Sequence, residues 1–277
     1  MNSPTIYDAL FEKGAKMDFG IAGKVALVSG GTQGIGFAAA QALLNEGAHV
    51  AIFSRSRDNV NQALANLDAG TSKVSGFSCD LLDETSVDEM LAKVRAELGT
   101  IDIFVGSSGG PSFGKAHELS HDDLITALES NFVGLATLTN KLLPGMQKNS
   151  WGRIVYVTTS GVIQPVPNLA LSNVARSALT SFTKTLSSEV VSQGITVNTV
   201  IPGRIDTPRL QEVARNEAKT NDITYEEKLA QDWKAIPAGR YGQPQEIANA
   251  ISFLCSKGAS YITGIRIAVD GGLIKSV

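Results

Sequence analysis

The sequence predicts an α/β fold: a doubly wound parallel sheet of about seven strands in a single domain. Short β-branched apolar runs alternate with longer amphipathic segments, the amphipathic segments often close on glycine, and no internal repeat or low-complexity stretch interrupts the pattern. Alternation of this kind calls for right-handed crossover connections, which leave helices on both faces of a parallel sheet. The 277 residues fit one such domain. A chain of about 300 residues buries roughly three quarters of its unfolded surface, so neither metal nor disulfide is needed to hold it together.

In chain order the strands are Lys24 to Ser29, His49 to Phe53, Lys73 to Cys79, Ile101 to Val105, Arg153 to Thr158, Thr196 to Ile201 and Ile265 to Val269. Gly47, Gly99 and Gly194 close the helical segments between them. Residues 1–23 form an N-terminal extension before the domain at 24–277. Within it Thr5 to Lys16 reads as a short amphipathic helix or as disorder, and Met17 as an alternative start. Residues 208–236 are longer and more polar than a simple connection and read as a helical lid. Leu210, Val213, Leu229 and Trp233 give it apolar surface for substrate or for packing, with Arg209, Arg215 and Lys219 nearby.

The net charge of -3 gives no electrostatic reason to expect nucleic acid or a membrane surface. No apolar run reaches the roughly 18 residues of a spanning helix, and the N-terminus lacks a basic start followed by an apolar core; a cytoplasmic protein is expected. Cys79 and Cys255, two unclustered thiols, are too few for a disulfide framework or a zinc site, and no metal is expected.

The first chemical signal follows the first strand, where Ser29 runs into Gly30-Gly31-Thr32-Gln33-Gly34-Ile35-Gly36 and then a helical stretch. Glycines let the backbone turn tightly and approach a pyrophosphate, whose charge meets the N–H groups of the helix N-terminus. A glycine-rich turn alone is weak evidence, because a tight βα connection also needs glycine; strand before and helix after make it a Rossmann-like dinucleotide site. The second strand ends Ile52-Phe53-Ser54-Arg55, where an acidic residue would grip a ribose 2′-hydroxyl. A hydroxyl and a cation suit a 2′-phosphate instead, favouring NADP(H) over NAD(H), against the alternative that Arg55 is an ordinary solvated charge. Asp80, before Leu81, is placed to accept from an adenine amino group or to close a turn.

With these residues the chain resembles the classical short-chain dehydrogenase/reductase family over roughly Gly23 to Leu273. Asn131, in Glu129-Ser130-Asn131-Phe132-Val133-Gly134, matches the family's helix asparagine. Pro202-Gly203-Arg204-Ile205-Asp206-Thr207 matches its P-G-x-x-x-T segment, in which Ile205 and Thr207 would flank and hold the nicotinamide amide. Tyr261-Ile262-Thr263-Gly264 and Val269-Asp270-Gly271-Gly272 match a closing strand that many members use in oligomer contacts, which implies a homodimer or homotetramer.

The resemblance also implies a catalytic Asn, Ser, Tyr, Lys tetrad, and here the chain departs from it. Aligning Ala178-Leu179 with the family's ending puts Ser172 at the tyrosine, Arg176 at the lysine, and Thr159, thirteen residues before Ser172, at the serine. Ser107-Ser108-Gly109-Gly110 stands where Asn-Asn-Ala-Gly is usual, with Ser107 and Gly109 expected at the cofactor, and Gln33 replaces a common basic residue. The pattern is similar to an atypical branch near the β-ketoacyl-[acyl-carrier-protein] reductases. A phenol titrates near 10 and an aliphatic hydroxyl several units higher, so Ser172 is a much poorer proton donor than tyrosine. Arg176 stays charged and cannot shuttle protons, although it can bind a ribose and stabilise an alkoxide.

The expected activity is an NADP(H)-dependent oxidoreductase interconverting a small-molecule carbonyl and a secondary alcohol, with Asn131, Thr159, Ser172 and Arg176 at the reacting centre. The alternatives are a non-redox catalyst in the same pocket, for elimination or isomerisation, and an inactive nucleotide-binding protein. His117 is weighed as a substitute acid against an ordinary solvated histidine. His121 reads as a helix start, His49 as a strand entry, and Tyr156, three residues before Thr159 on a strand, as a packed core residue facing away from it.

Overall fold

The computed structural model describes residues 18–276; the expectations placed on residues 1–17 lie outside them. Seven strands form one parallel sheet: β1 Val25–Ser29, β2 His49–Ser54, β3 Val74–Ser78, β4 Ile103–Gly106, β5 Gly152–Val157, β6 Ile195–Pro202 and β7 Arg266–Val269. Their order is β3-β2-β1-β4-β5-β6-β7. β1 pairs with β2 through Val25↔His49 and with β4 through Ala26↔Ile103. The chain therefore winds outward from β1 to β3 and crosses back to lay β4 against β1. A crevice opens at that switch point, above the C-terminal strand ends, where α/β sheets bind their ligands.

The two-residue period of the strands divides the core between the faces. Ala26 and Val28 of β1 and Val155 and Val157 of β5 turn to one side; Val25, Leu27, Ile154 and Tyr156 turn to the other. The first side is covered by α1 (Gly34–Asn45) and α9 (Pro244–Cys255), which pack together. Ala38, Ala39, Ala40 and Ala42 keep α1 thin enough for Ile247, Ile251 and Leu254 to approach. The second side is covered by α3 (Glu84–Glu97), α5 (Gly134–Lys148) and α6 (Ala170–Val190). They contribute Val87, Leu91, Leu135, Leu138, Leu179 and Leu186. Fully buried Ile21 joins the first cluster, so the core begins ahead of Lys24.

Helix starts follow local chemistry. Ser56 caps α2 (Arg57–Asn66) by accepting from the Asn59 N–H, and Asp83 caps α3. Ser120 and Asp123 form a capping box at α4 (His121–Leu128), where His121 is the first helical residue. Residues 208–236 form two helices: α7 (Pro208–Thr220), capped by Thr207 with Pro208 in its first turn, and α8 (Tyr225–Ala235), with a Thr224–Glu227 capping box. The described residues include no helix long and apolar enough to cross a membrane.

Candidate functional site

The loop from β1 to α1 has the geometry of a phosphate cradle. Gly30 and Gly34 have φ of +60° and +55°, the left-handed region that glycine enters without a steric penalty. A Cβ on Gly36 would lie 2.2 Å from the Gly30 carbonyl oxygen, so only glycine lets α1 start this close to the loop. Gln33 occupies the N-cap without a side-chain capping bond, and no acidic residue stands in the first turn. The leading N–H groups of α1 thus present a partial positive charge at the crevice, which suits an anion. Exposed Gln33, half-buried Thr32 and Ile35 complete the loop. A Cβ on Gly34 would meet the Thr207 methyl at 3.3 Å, which sets Thr207 beside the cradle. The residues present fit a dinucleotide.

Ser29 ties this loop to the segment after β4: its hydroxyl donates to the Ser107 carbonyl (2.7 Å) and accepts from the Ser107 N–H (2.8 Å). Gly109 is exposed just beyond. At the end of β2 the Ser54 hydroxyl donates to the Ser56 carbonyl (3.2 Å), while Arg55 is exposed and its carbonyl accepts from Ser78 (2.9 Å). Asp80 Oδ1 accepts from the Leu82 N–H (3.0 Å), so this carboxylate closes a turn; half-buried Leu81 lies against Gly134. Pro202 ends β6, and a Cβ on Gly203 would stand 2.6 Å from the Asp270 Cα. Ile205 is buried and packs on Gly242.

Asn131 sits in a π-helical turn, Glu129–Val133, between α4 and α5, a widening common at functional positions. Its Nδ2 donates to the Ala127 carbonyl (3.3 Å), fixing the amide so that Oδ1 accepts from the Ser108 hydroxyl (2.9 Å) and from Arg176 (3.4 Å). Arg176 lies on α6 one turn after Ser172, on the same helical face. It also donates to the carbonyls of Val157 (2.8 Å) and Ser108 (3.0 Å). It is only 6% exposed and, among the described residues, pairs with no carboxylate. Burial pushes its guanidinium down to about 10, which leaves it charged at neutral pH. Ser172 is buried beside it. Thr159 follows β5, caps a 3-10 turn by accepting from the Gly161 N–H (3.4 Å), and lines the adjoining cleft.

That cleft has a volume of about 940 Å³ between the segment after β4, residues 159–169, α7 and the chain end. Leu210 and Val213 of α7 line it, whereas Leu229 and Trp233 of α8 do not; Trp233 instead packs edge-on against Tyr241. Arg209 lies over the Phe113 ring, and Arg215 over Tyr225. The sequence did not single out Asp232 of α8. It is buried, pairs with Arg204 and Lys228, and accepts from the Tyr241 hydroxyl. Burial alone would raise its carboxyl, but Tyr241, Lys228 and Arg204 outweigh burial and hold it below the usual range. Ser108 was also missed as a partner of Asn131; its only signal was its departure from the family's asparagine.

The other weighed acids stand aside. The His117 side chain is 78% exposed, near Glu118 and off the cleft wall. His49 accepts from the Lys73 N–H (3.1 Å). Tyr156 is fully buried on the sheet face opposite α1, bonded to Thr139 and edge-on to Phe104, and burial raises its phenol further. Cys79 and Cys255 are buried free thiols. Among the described residues no group of His, Cys, Asp or Glu is arranged to hold a metal ion.

A family model described as Enoyl-(Acyl carrier protein) reductase matches residues 30–274. Dehydrogenase/reductase SDR family member 4 of Oryctolagus cuniculus is 36% identical over 91% of this chain and 94% of its own length. A putative ketoacyl reductase of Streptomyces coelicolor is 31% identical over 90% of this chain and 97% of its own. Among solved structures, L-sorbose reductase from Gluconobacter frateurii, complexed with NADPH and L-sorbose, superposes with a TM-score of 0.89. It is 32% identical over 94% of this chain and 100% of that one.

Proposed function

This chain belongs to the short-chain dehydrogenase/reductase family, and we propose that within it the protein is an NADP(H)-dependent oxidoreductase interconverting a carbonyl and a secondary alcohol by an altered proton route. The observation that carries this reading is the placement of Arg176, a cation at neutral pH held at the Asn131 amide one helical turn from Ser172. The phosphates would lie in the cradle Gly30 to Gly36, the 2′-phosphate at Ser54 and Arg55, the adenine at Asp80 and Leu81, and the nicotinamide near Ser107, Gly109 and the Pro202 to Thr207 segment. When bound, the cofactor supplies the hydride equivalent. Thr159 donates a hydrogen bond to the substrate oxygen, and Ser172 assists it. Arg176 holds the ribose and balances negative charge on that oxygen, a stabilisation worth about 3 kcal/mol. Asn131 orients a water that relays a proton from bulk solvent to the substrate oxygen, taking up one proton as it passes one on, because neither Ser172 nor Arg176 is an acid at neutral pH.

The reading places Ser172 and Arg176 where the family's tyrosine and lysine stand, in a cytoplasmic homodimer or homotetramer. Exposed Phe253, Tyr261 and Ile265 near β7 support self-association. Calorimetric titration of cofactor-free protein with NADPH and NADH tests the reading first. Tight NADPH binding, weak NADH binding and a narrower gap in Arg55→Ala are expected. Failure to bind either nucleotide, or no turnover of ketones, ketoesters and alcohols by folded protein, overturns it.

A further inference from the structure

Resting on the oxidoreductase reading, we infer that the cleft selects uncharged carbonyl substrates and excludes carboxylates, and that Asp232 is the residue setting this preference. The wall is largely apolar, with Phe113, Val166, Leu169, Leu210, Val213 and Leu273 among its lining residues. Its charged side chains neutralise one another. Lys115 pairs with Glu118 at 3.2 Å, Arg204 with Asp232, and Lys228, just behind the wall, with Glu217 at 2.5 Å and Asp232 at 3.0 Å. Three cations thus meet three carboxylates.

The pairs are not equivalent. Lys115 and Glu118 are more than half exposed, and a pair in water restrains a ligand little. The Asp232 carboxylate is 7% exposed and Lys228 13%, so their charges are committed where screening is weak. Arg204 follows Gly203 in the loop leaving β6, and Asp232 reaches it from α8, so the cation closest to that loop is already occupied when a substrate enters. A carboxylate seated at the Arg204–Asp232 end of the cleft would be desolvated against Asp232 and Glu217 while Arg204 and Lys228 are already committed, whereas a neutral ketone meets no such cost.

The test is calorimetric binding of 4-acetylbenzoate and of its methyl ester, with and without NADP⁺. The unmodified protein should bind the ester at least about tenfold more tightly than the acid. Asp232→Asn, which leaves Arg204 without its carboxylate, should tighten the acid by at least about fivefold and leave the ester within about twofold. Glu217→Gln changes a half-exposed residue and should shift the acid in the same direction by less, which keeps the test open if Asp232→Asn does not fold. Equal binding of acid and ester by the unmodified protein, no ester binding at all, or an unchanged ratio in the folded variants overturns the inference. The heat of NADP⁺ binding in the same samples reports separately on the oxidoreductase reading.

Discussion

Arg153 and Arg176 are both buried guanidiniums that pair with no carboxylate among the described residues, yet they stand at opposite ends of the sheet's strands. Arg153, 2% exposed near the start of β5, donates to the carbonyls of Ser256, Gly152 and Gly194 and stacks on Trp151. Its bonded acceptors are main-chain atoms, and it ties the end of α9 to the entries of β5 and β6. Arg176 is held at the C-terminal strand ends by two carbonyls and by the amide of Asn131, itself gripped by Ser108. The fold can bury a cation on carbonyls alone, so burial without a counter-ion does not mark a site. Arg176 differs in standing at the crevice, next to hydroxyls and a fixed amide.

Replacing the two arginines should separate these roles. Arg176→Met is expected to lower kcat/KM for carbonyl reduction by about 10²- to 10³-fold, the usual cost of removing one preorganised electrostatic group. Its effect on unfolding free energy should stay under about 2 kcal/mol, because relief of the buried charge, whose burial holds the guanidinium below its ordinary value, offsets the acceptors left without a donor. Arg153→Met should do the reverse: a loss of about 2–4 kcal/mol in denaturant unfolding with NADPH affinity unchanged. Should both variants lose stability alike, the distinction fails.

The pH dependence is a smaller effect with a definite sign. The folded Arg176 guanidinium titrates at about 10, below the ordinary arginine value, so between the two the unfolded chain binds more protons. Stability from this group therefore rises with pH across that window. NADPH affinity should instead fall as pH climbs through about 10, and titration calorimetry of Arg176→Met should show no such limb. The smallest change is expected from Ser172→Ala, a loss in kcat below about tenfold; a loss of about 10²–10⁴ would make Ser172 itself the general acid.

The cofactor side of the molecule was far more legible in the sequence than the substrate side. Backbone geometry writes itself into residue type: Gly36 is glycine because a carbonyl occupies the space of a Cβ. All seven strands were placed to within about two residues at either end. Side-chain function is less visible. Ile205 is expected at the cofactor from its motif, and nothing in that motif announces that its side chain also packs in the core beside Gly242. Asp80 closes a turn through Oδ1, a role that residue type alone does not separate from a contact to an adenine. The Asp232 cluster joins residues from the β6 exit, α8 and the segment before α9, and no local periodicity announces a contact of that kind.

The π-helical turn at Glu129–Val133 acts as a register offset between two helices that otherwise run on continuously. Deleting one residue from it would restore ordinary helical pitch and rotate one flanking helix against the other by about 100°. Either Leu135, Leu138 and Leu142 would turn away from the sheet, or Asn131 would turn away from Arg176. The apolar seam and the amide are phased by this one wide turn, so a one-residue length change there disturbs the Asn131–Arg176 contact and the core together, while the same change in an exposed connection is absorbed by slack.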